Sequence, residues 1–367
     1  MKKQVRRKDM QARIVLLPGD GIGPEVIDAA AKVLDAVASL FDHTFELPLY
    51  PIGGSALREG EPPLPEQTRM ACVSADAVLL GAVGDPEFDR GSSEERPETA
   101  LLQLRKELGV FANLRPAIVW PGLEDGGSLK PELVRGLDML IIRELTGGIY
   151  YGEPRGRTDD GQSAFNTMRY SRSEVHRIAV MAFESARKRR GLVTSVDKAN
   201  VLETSRLWRE VISEVGKDYP DVRLEHQYVD SCALLMVSNP QKFDVVVAGN
   251  LFGDILSDEA GAVVGSLGLL PSASIGGGGG LFEPVHGSAP DIAGQNKANP
   301  VAAIASAAML LRHGLDAHAE ASAIETAIGD TLVSGIRTAD LSGPEESPIV
   351  SCTEMTQAIL DRLTLSV

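Results

Sequence analysis

Short apolar runs alternate along the chain with longer stretches in which apolar residues recur at helical spacing. Ile14–Leu17 and Ala77–Val83 have the length and composition of buried strands. Glu25–Leu40 carries its apolar residues three and four positions apart, which predicts an amphipathic helix. The same patterns predict strands at Asp138–Glu144, Thr194–Lys198 and Phe243–Ala248, and helices at Glu98–Leu108, Glu174–Arg190 and Pro300–His313. Alternation of this kind favours an α/β fold.

Three polar or glycine-rich segments interrupt the alternation. Gly84–Pro97 is predicted to be a polar loop. Tyr150–Ser173 is rich in Gly, Arg, Asp and Thr, which is typical of an extended arm or hairpin and not of a core. Gly276–Gly280 is an uninterrupted run of glycines that predicts a flexible loop or a tight turn.

Residues 1–12 are predicted to be a disordered or weakly ordered extension. The basic start, Met1–Asp9, resembles the beginning of a signal peptide. The apolar run that follows, Ile14–Leu17, is short and ends in Pro18 and Gly19, whereas a signal peptide needs a longer apolar core. We therefore expect a cytoplasmic protein.

Length, charge and cysteine content exclude several classes of protein. A chain of 367 residues is long enough for two domains. The formal net charge of −15 argues against a nucleic-acid-binding protein, because nucleic acid is bound by clustered Lys and Arg. No apolar run approaches the ~20 residues that span a membrane. The three cysteines are far apart and odd in number, so we expect neither a disulfide framework nor a zinc site.

Two aspartates that follow a predicted strand are candidate metal ligands. Phe243–Ala248 ends at Gly249, and Asp254 and Asp258 come shortly afterwards. If Asp254 opens a helix, Asp258 lies one turn later on the same face. Paired carboxylates suit a hard cation such as Mg²⁺ or Mn²⁺. The alternative is a solvated acidic helix start, which the helix dipole favours in any case.

A nucleotide site is predicted late in the chain and not at its first glycine cluster. Gly19–Val26 lies between a strand and a helix, but the dinucleotide-binding pattern that starts at Gly21 requires a further glycine where Val26 stands. Glu283–Gly294 is the better candidate, because its small residues allow a ligand to approach the backbone. An ordinary loop with a capping aspartate is the alternative for this segment.

Taken together in their order, five segments resemble the β-decarboxylating dehydrogenases, the family of isocitrate and 3-isopropylmalate dehydrogenases. They are Gly19–Val26, Arg143–Gly152, Ser195–Leu202, Asn250–Asp258 and Glu283–Gly294. The resemblance extends from about Arg13 to the C-terminus. It implies a two-domain isopropylmalate dehydrogenase-like fold and not a Rossmann fold. Residues 1–110 and 265–367 would form the NAD-binding domain, and residues 111–264, with an arm near 151–173, would form the dimer and the metal and substrate site. The family holds its substrate and metal in the cleft between these domains.

The resemblance also assigns residues to the substrate. Arg105, Arg115 and Arg143 match the family's carboxylate-binding arginines, and guanidinium groups pair well with carboxylates. Leu101 and Leu102 stand where isocitrate dehydrogenases carry Ser and Asn, which favours the isopropyl group of 3-isopropylmalate, a substrate of leucine biosynthesis. Both leucines also fit the buried face of a helix. Homoisocitrate, D-malate and tartrate are the alternative substrates.

Catalytic, metal-binding and cofactor-binding residues follow from the same resemblance. Lys198 matches the base, and Tyr150 matches the group that delivers a proton to the enolate. The metal would be held by Asp230, Asp254 and Asp258. Lys198, Asn200 and Asp230 would come from the second subunit of a homodimer. NAD would be bound by Glu98, near the nicotinamide and the substrate, and by His286, Gly287, Ser288, Ala289, Asp291 and Asn299.

Two further points concern the cofactor and the class of protein. Asp291 is expected to accept hydrogen bonds from the ribose hydroxyls and to repel a 2′-phosphate, so NAD is favoured over NADP. A catalytically silent ligand-binding relative is the alternative from a different class. The presence of Lys198, Tyr150 and the three aspartates Asp230, Asp254 and Asp258 argues against it.

Overall fold

The computed structural model describes residues 9–88, 96–341 and 349–364. Residues 1–8 of the predicted extension and residues 89–95 of the predicted polar loop lie outside these ranges. The last residues of the predicted extension belong to the first strand, β1 (Gln11–Gly19). Gln11 and Ala12 are paired with Thr44 and Phe45 of β2 (Thr44–Glu46), so the prediction of an extension is wrong for these two residues.

The chain forms two compact units. The first comprises Met1–Gly109, Trp120–Gly126 and Leu267–Val367, and the second comprises Val110–Val119 and Gly127–Ser266. Each contains mainly parallel strands with helices between them in sequence, which confirms the α/β class. The roles predicted for the two units stay predictions. In the described ranges, no helix is both long and apolar enough to cross a membrane.

The first unit contains strands in the order β2, β1, β3 (Ala77–Ala82), β12 (Leu281–Pro284) and β11 (Pro271–Gly276). Neighbouring strands run parallel, except that β11 and β12 form an antiparallel hairpin. The glycine run joins these two strands, which confirms the predicted turn. The helices of this unit are α1 (Gly23–Phe41), α2 (Gly54–Arg58), α3 (Glu66–Val73), α4 (Pro97–Glu107), α10 (Val301–Met309), α11 (His318–Val333) and α12 (Cys352–Leu360).

The second unit contains strands in the order β4 (Val110–Ile118), β5 (Asp138–Glu144), β10 (Val245–Ala248), β8 (Leu192–Asp197) and β9 (Arg223–Tyr228). Here β4 and β5 are antiparallel and the other neighbours are parallel. The helices are α5 (Pro131–Val134), α6 (Arg172–Arg187), α7 (Glu203–Gly216), α8 (Val229–Ser238) and α9 (Asn250–Val264). An exposed hairpin of β6 (Gly156–Arg157) and β7 (Ala164–Phe165) occurs where the sequence predicts an arm.

α1 and α6 each begin two residues before their predicted starts, and α9 and α10 show further differences. The prediction that Asp254 opens a helix is wrong, because α9 already begins at Asn250. Gly249 offers no side chain to cap this helix, and the backbone N–H of Asn250 donates instead to the hydroxyl of Tyr170 at 2.7 Å. The regular part of α10 ends at Met309, and the chain continues as a wider π-helical turn through Gly314.

The three cysteines are free and buried, in agreement with the expectation that no disulfide forms. Burial raises the pKa of the Cys72, Cys232 and Cys352 thiols to about 12. A protonated and inaccessible thiol reacts slowly with disulfide reagents. We expect no thiol to react with Ellman's reagent in the native protein near neutral pH and all three to react in denaturant. A thiol that reacts rapidly in the native protein would contradict this placement of the cysteines.

Candidate active site

The carboxyl ends of neighbouring parallel strands carry the candidate residues of the second unit. Arg143 lies near the end of β5, Asn250 follows β10, Lys198 follows β8, and Asp230 follows β9 by two residues. Because the carboxyl ends of parallel strands meet at one edge of a sheet, this is the usual position of a ligand site in α/β proteins.

Asp254 and Asp258 of α9 form a cluster with Arg115 of β4 and Arg143 of β5, called the α9 cluster below. Arg143 donates a hydrogen bond from Nη1 to Asp254 Oδ1. Arg115 Nη1 lies 3.3 Å from Asp258 Oδ1, and its Nη2 lies 3.7 Å from Asp254 Oδ1. The hydroxyl of Tyr150 donates to Asp254 Oδ2 at 2.9 Å. The structure therefore brings together five of the residues that the sequence predicts for the site.

The close approach of Arg143 to α9 depends on Gly253. A Cβ atom at this position would lie 2.8 Å from Cβ and Cγ of Arg143, which is too short for any real contact. Glycine thus allows the stem of Arg143 to pack directly on the helix, and the guanidinium group reaches Asp254 one residue further along.

Burial and charge alter the protonation of two groups in this cluster. Burial, together with the neighbouring Asp254 carboxylate, raises the pKa of Asp258. Burial and the Asp254 carboxylate also raise the pKa of Tyr150. The phenol of Tyr150 is therefore protonated at neutral pH and has a proton to give.

The aspartate pair fits a divalent cation. Asp254 and Asp258 are four residues apart on one helix, so their carboxylates share a face. The side chain of Asp254 is 30% exposed and that of Asp258 is 62% exposed, which leaves both accessible to an ion. Carboxylate oxygens are the ligands that Mg²⁺ and Mn²⁺ prefer.

Lys198 and Asp230 form a separate ion pair. Lys198 Nζ lies 2.5 Å from Asp230 Oδ1 and 6.0 Å from the centre of the Tyr228 ring. Asn200 is exposed in the turn that follows Lys198. Among the described residues of one chain, no three His, Cys, Asp or Glu side chains come together as a metal site.

In the first unit, the predicted NAD-binding loop lies against the turn after β1. The backbone N–H of Ile22 donates to the carbonyl of Ser288 at 2.8 Å. A Cβ atom at Gly21 would lie 1.9 Å from the same carbonyl oxygen, so only glycine fits. The Gly19–Val26 segment thus supports this loop, which explains its glycines without a dinucleotide fingerprint.

Glu98 lies near the same loop. A Cβ atom at Gly84, just after β3, would lie 3.4 Å from Glu98 Oε1 and 3.6 Å from Ser288 Oγ. Glu98 and Ser288, which are far apart in sequence, are therefore neighbours at the carboxyl ends of β1, β3 and β12.

His286 fits a ligand in this loop. Its Nδ1 lies 2.9 Å from the carbonyl oxygen of Gly287, and its Nε2 is buried without a partner in the described part of the chain. Burial lowers the pKa of His286, so the ring is neutral at pH 7. A buried polar atom without a partner is unfavourable unless a ligand or water satisfies it. Gly287 leaves open space beside the backbone.

Two further predicted cofactor residues differ in their surroundings. Asp291 is exposed. The side chain of Asn299 is engaged within the protein, because its Nδ2 donates to Asp340 at 3.0 Å and its Oδ1 accepts from the backbone of Val301 at 3.0 Å. Asn299 thus stabilises the start of α10 by accepting a hydrogen bond from its first backbone N–H.

Two of the substrate residues predicted on α4, Arg105 and Leu101, already contact other side chains of the protein. Arg105 is buried, and its Nη2 donates to Glu283 Oε1 at 2.8 Å, while its Nε is buried without a partner within the described ranges. Leu101 is half-buried and packs on the core of its unit. Leu102 is 37% exposed. Of the two leucines, Leu102 therefore offers more surface to a ligand.

The sequence matches the isocitrate/isopropylmalate dehydrogenase family over residues 13–359. The protein belongs to this family. A curated 3-isopropylmalate dehydrogenase from Oleidesulfovibrio alaskensis is 54% identical over 359 residues, which are 96% of this chain and 100% of that protein. One from Bacillus subtilis is 53% identical over 363 residues, or 97% of this chain and 100% of that protein.

Solved structures of isocitrate/isopropylmalate dehydrogenase relatives share the fold. An isocitrate dehydrogenase from Methylococcus capsulatus matches with a TM-score of 0.86 at 36% identity, covering 96% of this chain and 99% of that chain. A β-decarboxylating dehydrogenase from Thermococcus kodakarensis, in its apo form, matches with a TM-score of 0.78 at 36% identity, covering 96% of both chains. The predicted family and its fold are thereby confirmed.

Several residues of this family member contact the predicted site residues but were not predicted themselves, among them Asn250, which accepts from Arg143 Nε at 3.0 Å. Asn113 accepts from Arg115 Nε at 2.7 Å, Ser257 Oγ accepts from Arg115 Nη1 at 2.6 Å, and Glu283 pairs with Arg105. Two of them leave a signal in the sequence. Asn113 is two residues from Arg115 on a strand and Ser257 is three residues from Asp254 on a helix, so each shares a face with a predicted residue.

Proposed function

We propose that the protein catalyses the oxidative decarboxylation of (2R,3S)-3-isopropylmalate to 4-methyl-2-oxopentanoate and CO₂, with reduction of NAD, in leucine biosynthesis. The observation that carries this proposal is the cluster of Arg115, Arg143 and Tyr150 around Asp254 and Asp258. The two arginines suit the carboxylates of a dicarboxylic acid, and the two aspartates suit a metal ion. The protonated phenol of Tyr150 suits a proton donor.

The substrate's two carboxylates are proposed to bind Arg105, Arg115 and Arg143. Leu102, with Leu101 beside it, is proposed to contact the isopropyl group. The relatives named above at 53% and 54% identity are 3-isopropylmalate dehydrogenases, which favours this substrate. A charged group in place of the isopropyl group would be buried against leucine without a partner, which is unfavourable.

Lys198 and Tyr150 are proposed to move the protons of the reaction. Lys198 takes the proton of the 2-hydroxyl group, directly or through water. Tyr150 gives a proton to C3 after CO₂ has left. The raised pKa of Tyr150 keeps its phenol protonated at neutral pH, so a proton is present to be given.

Asp254, Asp258 and the partner subunit's Asp230 are proposed to hold Mg²⁺ or Mn²⁺, which when bound supplies Lewis-acid polarisation at the substrate's 2-oxygen. NAD, which accepts hydride from C2, is proposed to bind the loop of His286, Gly287, Ser288 and Ala289, together with Glu98, Asp291 and Asn299. The fit of both groups rests on the exposed carboxylates of α9 and the buried Nε2 of His286.

A homodimer is proposed in which Lys198, Asn200 and Asp230 serve the partner's site. Within the described part of one chain, Asp230 pairs with Lys198, and no third carboxylate joins Asp254 and Asp258 as a metal site. The surface of the packed helices α8 and α9 supports an interface, because Leu234 is 69% exposed and Ile255 is 56% exposed there. Exposed apolar patches commonly mark interfaces. The buried free thiols fit a reducing compartment, and we propose the cytoplasm.

The proposed reaction is tested by incubating the purified protein with NAD, Mg²⁺ and 3-isopropylmalate. We expect NADH and CO₂ to form in equal amounts, and EDTA to stop both until excess Mg²⁺ is added. NADH without CO₂ would contradict the decarboxylation. A protein that forms neither product with this substrate would contradict the proposed function.

Replacing Asp291 with lysine is expected to weaken NAD preference. A carboxylate at this position repels the 2′-phosphate of NADP, whereas an ammonium group attracts it. We expect the ratio of kcat/KM for NAD to that for NADP to fall by roughly tenfold or more. The matched control is Asp218→Lys, an exposed site in the other unit, where the ratio stays unchanged. An unchanged ratio in Asp291→Lys would show that Asp291 does not set cofactor choice.

A further inference from the structure

Both arginines of the α9 cluster are held in the same way by a buried asparagine. Arg115 Nε donates to Asn113 Oδ1 at 2.7 Å, and Arg143 Nε donates to Asn250 Oδ1 at 3.0 Å. Asn113 is fully buried and Asn250 is 1% exposed. The two arginines thus share an arrangement even though one asparagine lies on a strand and the other on a helix.

The arrangement fixes the orientation of each guanidinium plane. A bond to Nε constrains the plane from its inner edge, and the two Nη nitrogens of the planar group then point in set directions. In both arginines, an Nη nitrogen contacts an aspartate of α9. The asparagines therefore determine which way the cationic faces point.

Asn250 is fixed in turn by four hydrogen bonds. Besides accepting from Arg143, its Nδ2 donates to the carbonyls of Leu145 at 3.0 Å and Gly147 at 3.1 Å, and its backbone N–H donates to the hydroxyl of Tyr170 at 2.7 Å. The chain from Leu145 leads directly to Tyr150. Asn250 thus links Arg143 to the segment that carries the proposed proton donor.

An amide at these positions differs from a carboxylate in one respect that matters for binding. Asparagine and aspartate have the same shape and both accept a hydrogen bond, but aspartate lacks the amide's N–H donors and adds a negative charge. That charge would neutralise the arginine and repel an incoming carboxylate. A neutral acceptor orients the guanidinium group without adding a further negative charge to those of Asp254 and Asp258.

We propose that Asn113 and Asn250 are positioning residues that orient Arg115 and Arg143 for the carboxylates of the substrate without adding a further negative charge beside them. This inference rests on the proposed function. The positioning acts on the acid substrate alone, because the residues proposed to bind NAD belong to the other unit.

The test compares Asn113→Asp and Asn250→Asp with the wild type. We expect the KM for 3-isopropylmalate to rise roughly tenfold in each, because the added negative charge offsets the arginine charge and repels the substrate's carboxylates. The KM for NAD should stay within about twofold, a split that general destabilisation does not produce. Gln67→Glu, which also replaces an amide by a carboxylate but at an exposed position of α3, is the control and should alter neither KM.

If Asn113→Asp and Asn250→Asp fail to fold, Tyr170→Phe provides a second test of the inference. It retains the ring and removes only the acceptor for the Asn250 backbone, so a KM for 3-isopropylmalate raised about two- to fivefold, with an unchanged KM for NAD, supports the inference. Tyr219→Phe, remote from the cluster and stacked on Phe183, is its control. An unchanged KM for 3-isopropylmalate, or equal rises in both KM values, would overturn the inference. If the wild type itself does not oxidise 3-isopropylmalate, the proposed function fails instead.

Discussion

Replacing Lys198 with alanine is expected to lower kcat for 3-isopropylmalate by a factor of about 10²–10⁴, the usual contribution of a positioned general base. Lys198 is the proposed base, and its Nζ contacts Asp230 in the first turn of α8. The fold should be unaffected, because this ion pair is partly exposed and such pairs contribute little to stability.

Steady-state kinetics and thermal unfolding on the same preparation measure this effect. Lys217→Ala, at an exposed lysine just after α7 in the same unit, is the matched control and should retain wild-type kinetics. If Lys198→Ala turns over 3-isopropylmalate at the wild-type rate, the proposed role of Lys198 is wrong. A loss of activity that accompanies a large fall in melting temperature would point to a structural role instead.

Replacing Asp254 with asparagine is expected to lower the activity with 3-isopropylmalate about as much as Lys198→Ala does, but through loss of metal binding. Asp254 contacts Arg143, Arg115 and Tyr150 and is a proposed metal ligand. Asparagine preserves the shape but removes the charge, so Mn²⁺ should bind at least about tenfold more weakly. We expect kcat/KM for 3-isopropylmalate to fall about 10³-fold.

Calorimetric titration with Mn²⁺ measures the metal independently of turnover. Asp218→Asn, an exposed aspartate of the same unit, is the control and should bind Mn²⁺ as the wild type does. Wild-type Mn²⁺ affinity in Asp254→Asn would exclude this residue as a ligand, whatever its effect on the rate.

Combining the two inactive variants tests whether active sites are shared between subunits. If Lys198 serves the partner's site, a heterodimer of Lys198→Ala and Asp254→Asn contains one site in which both residues are wild type. Random co-assembly should then restore about a quarter of wild-type activity. Co-expression with two different affinity tags allows the heterodimer to be purified and measured. No recovery in the purified heterodimer would contradict the shared site.

Local patterns predicted the elements that carry the site. Asp254 and Asp258 are four residues apart, and this spacing alone indicates a common helix face. The valines of Val245–Ala248 identify β10, because a fully buried parallel strand is continuously apolar. Both features depend on residues that are close in sequence, and the structure agrees with them.

Features that depend on distant residues were not predicted. The start of α9 was wrong by four residues, since its first N–H is satisfied by Tyr170, 80 positions away. The pair of Arg105 and Glu283 joins residues 178 positions apart, and nothing in either segment indicates the other. Asn113 and Ser257 were also not predicted, although their spacing from Arg115 on a strand and from Asp254 on a helix was available in the sequence.

The central claim is that the substrate is 3-isopropylmalate. Its most direct test compares kcat/KM for 3-isopropylmalate, D-malate and isocitrate in the presence of NAD and Mg²⁺, with the formation of NADH measured by absorbance. We expect 3-isopropylmalate to be preferred by about 10²-fold or more, because Leu102 offers an apolar surface and no partner for a third carboxylate. A preference for D-malate would contradict the role of the leucines and leave the chemistry intact. A preference for isocitrate would contradict the assignment of the substrate altogether.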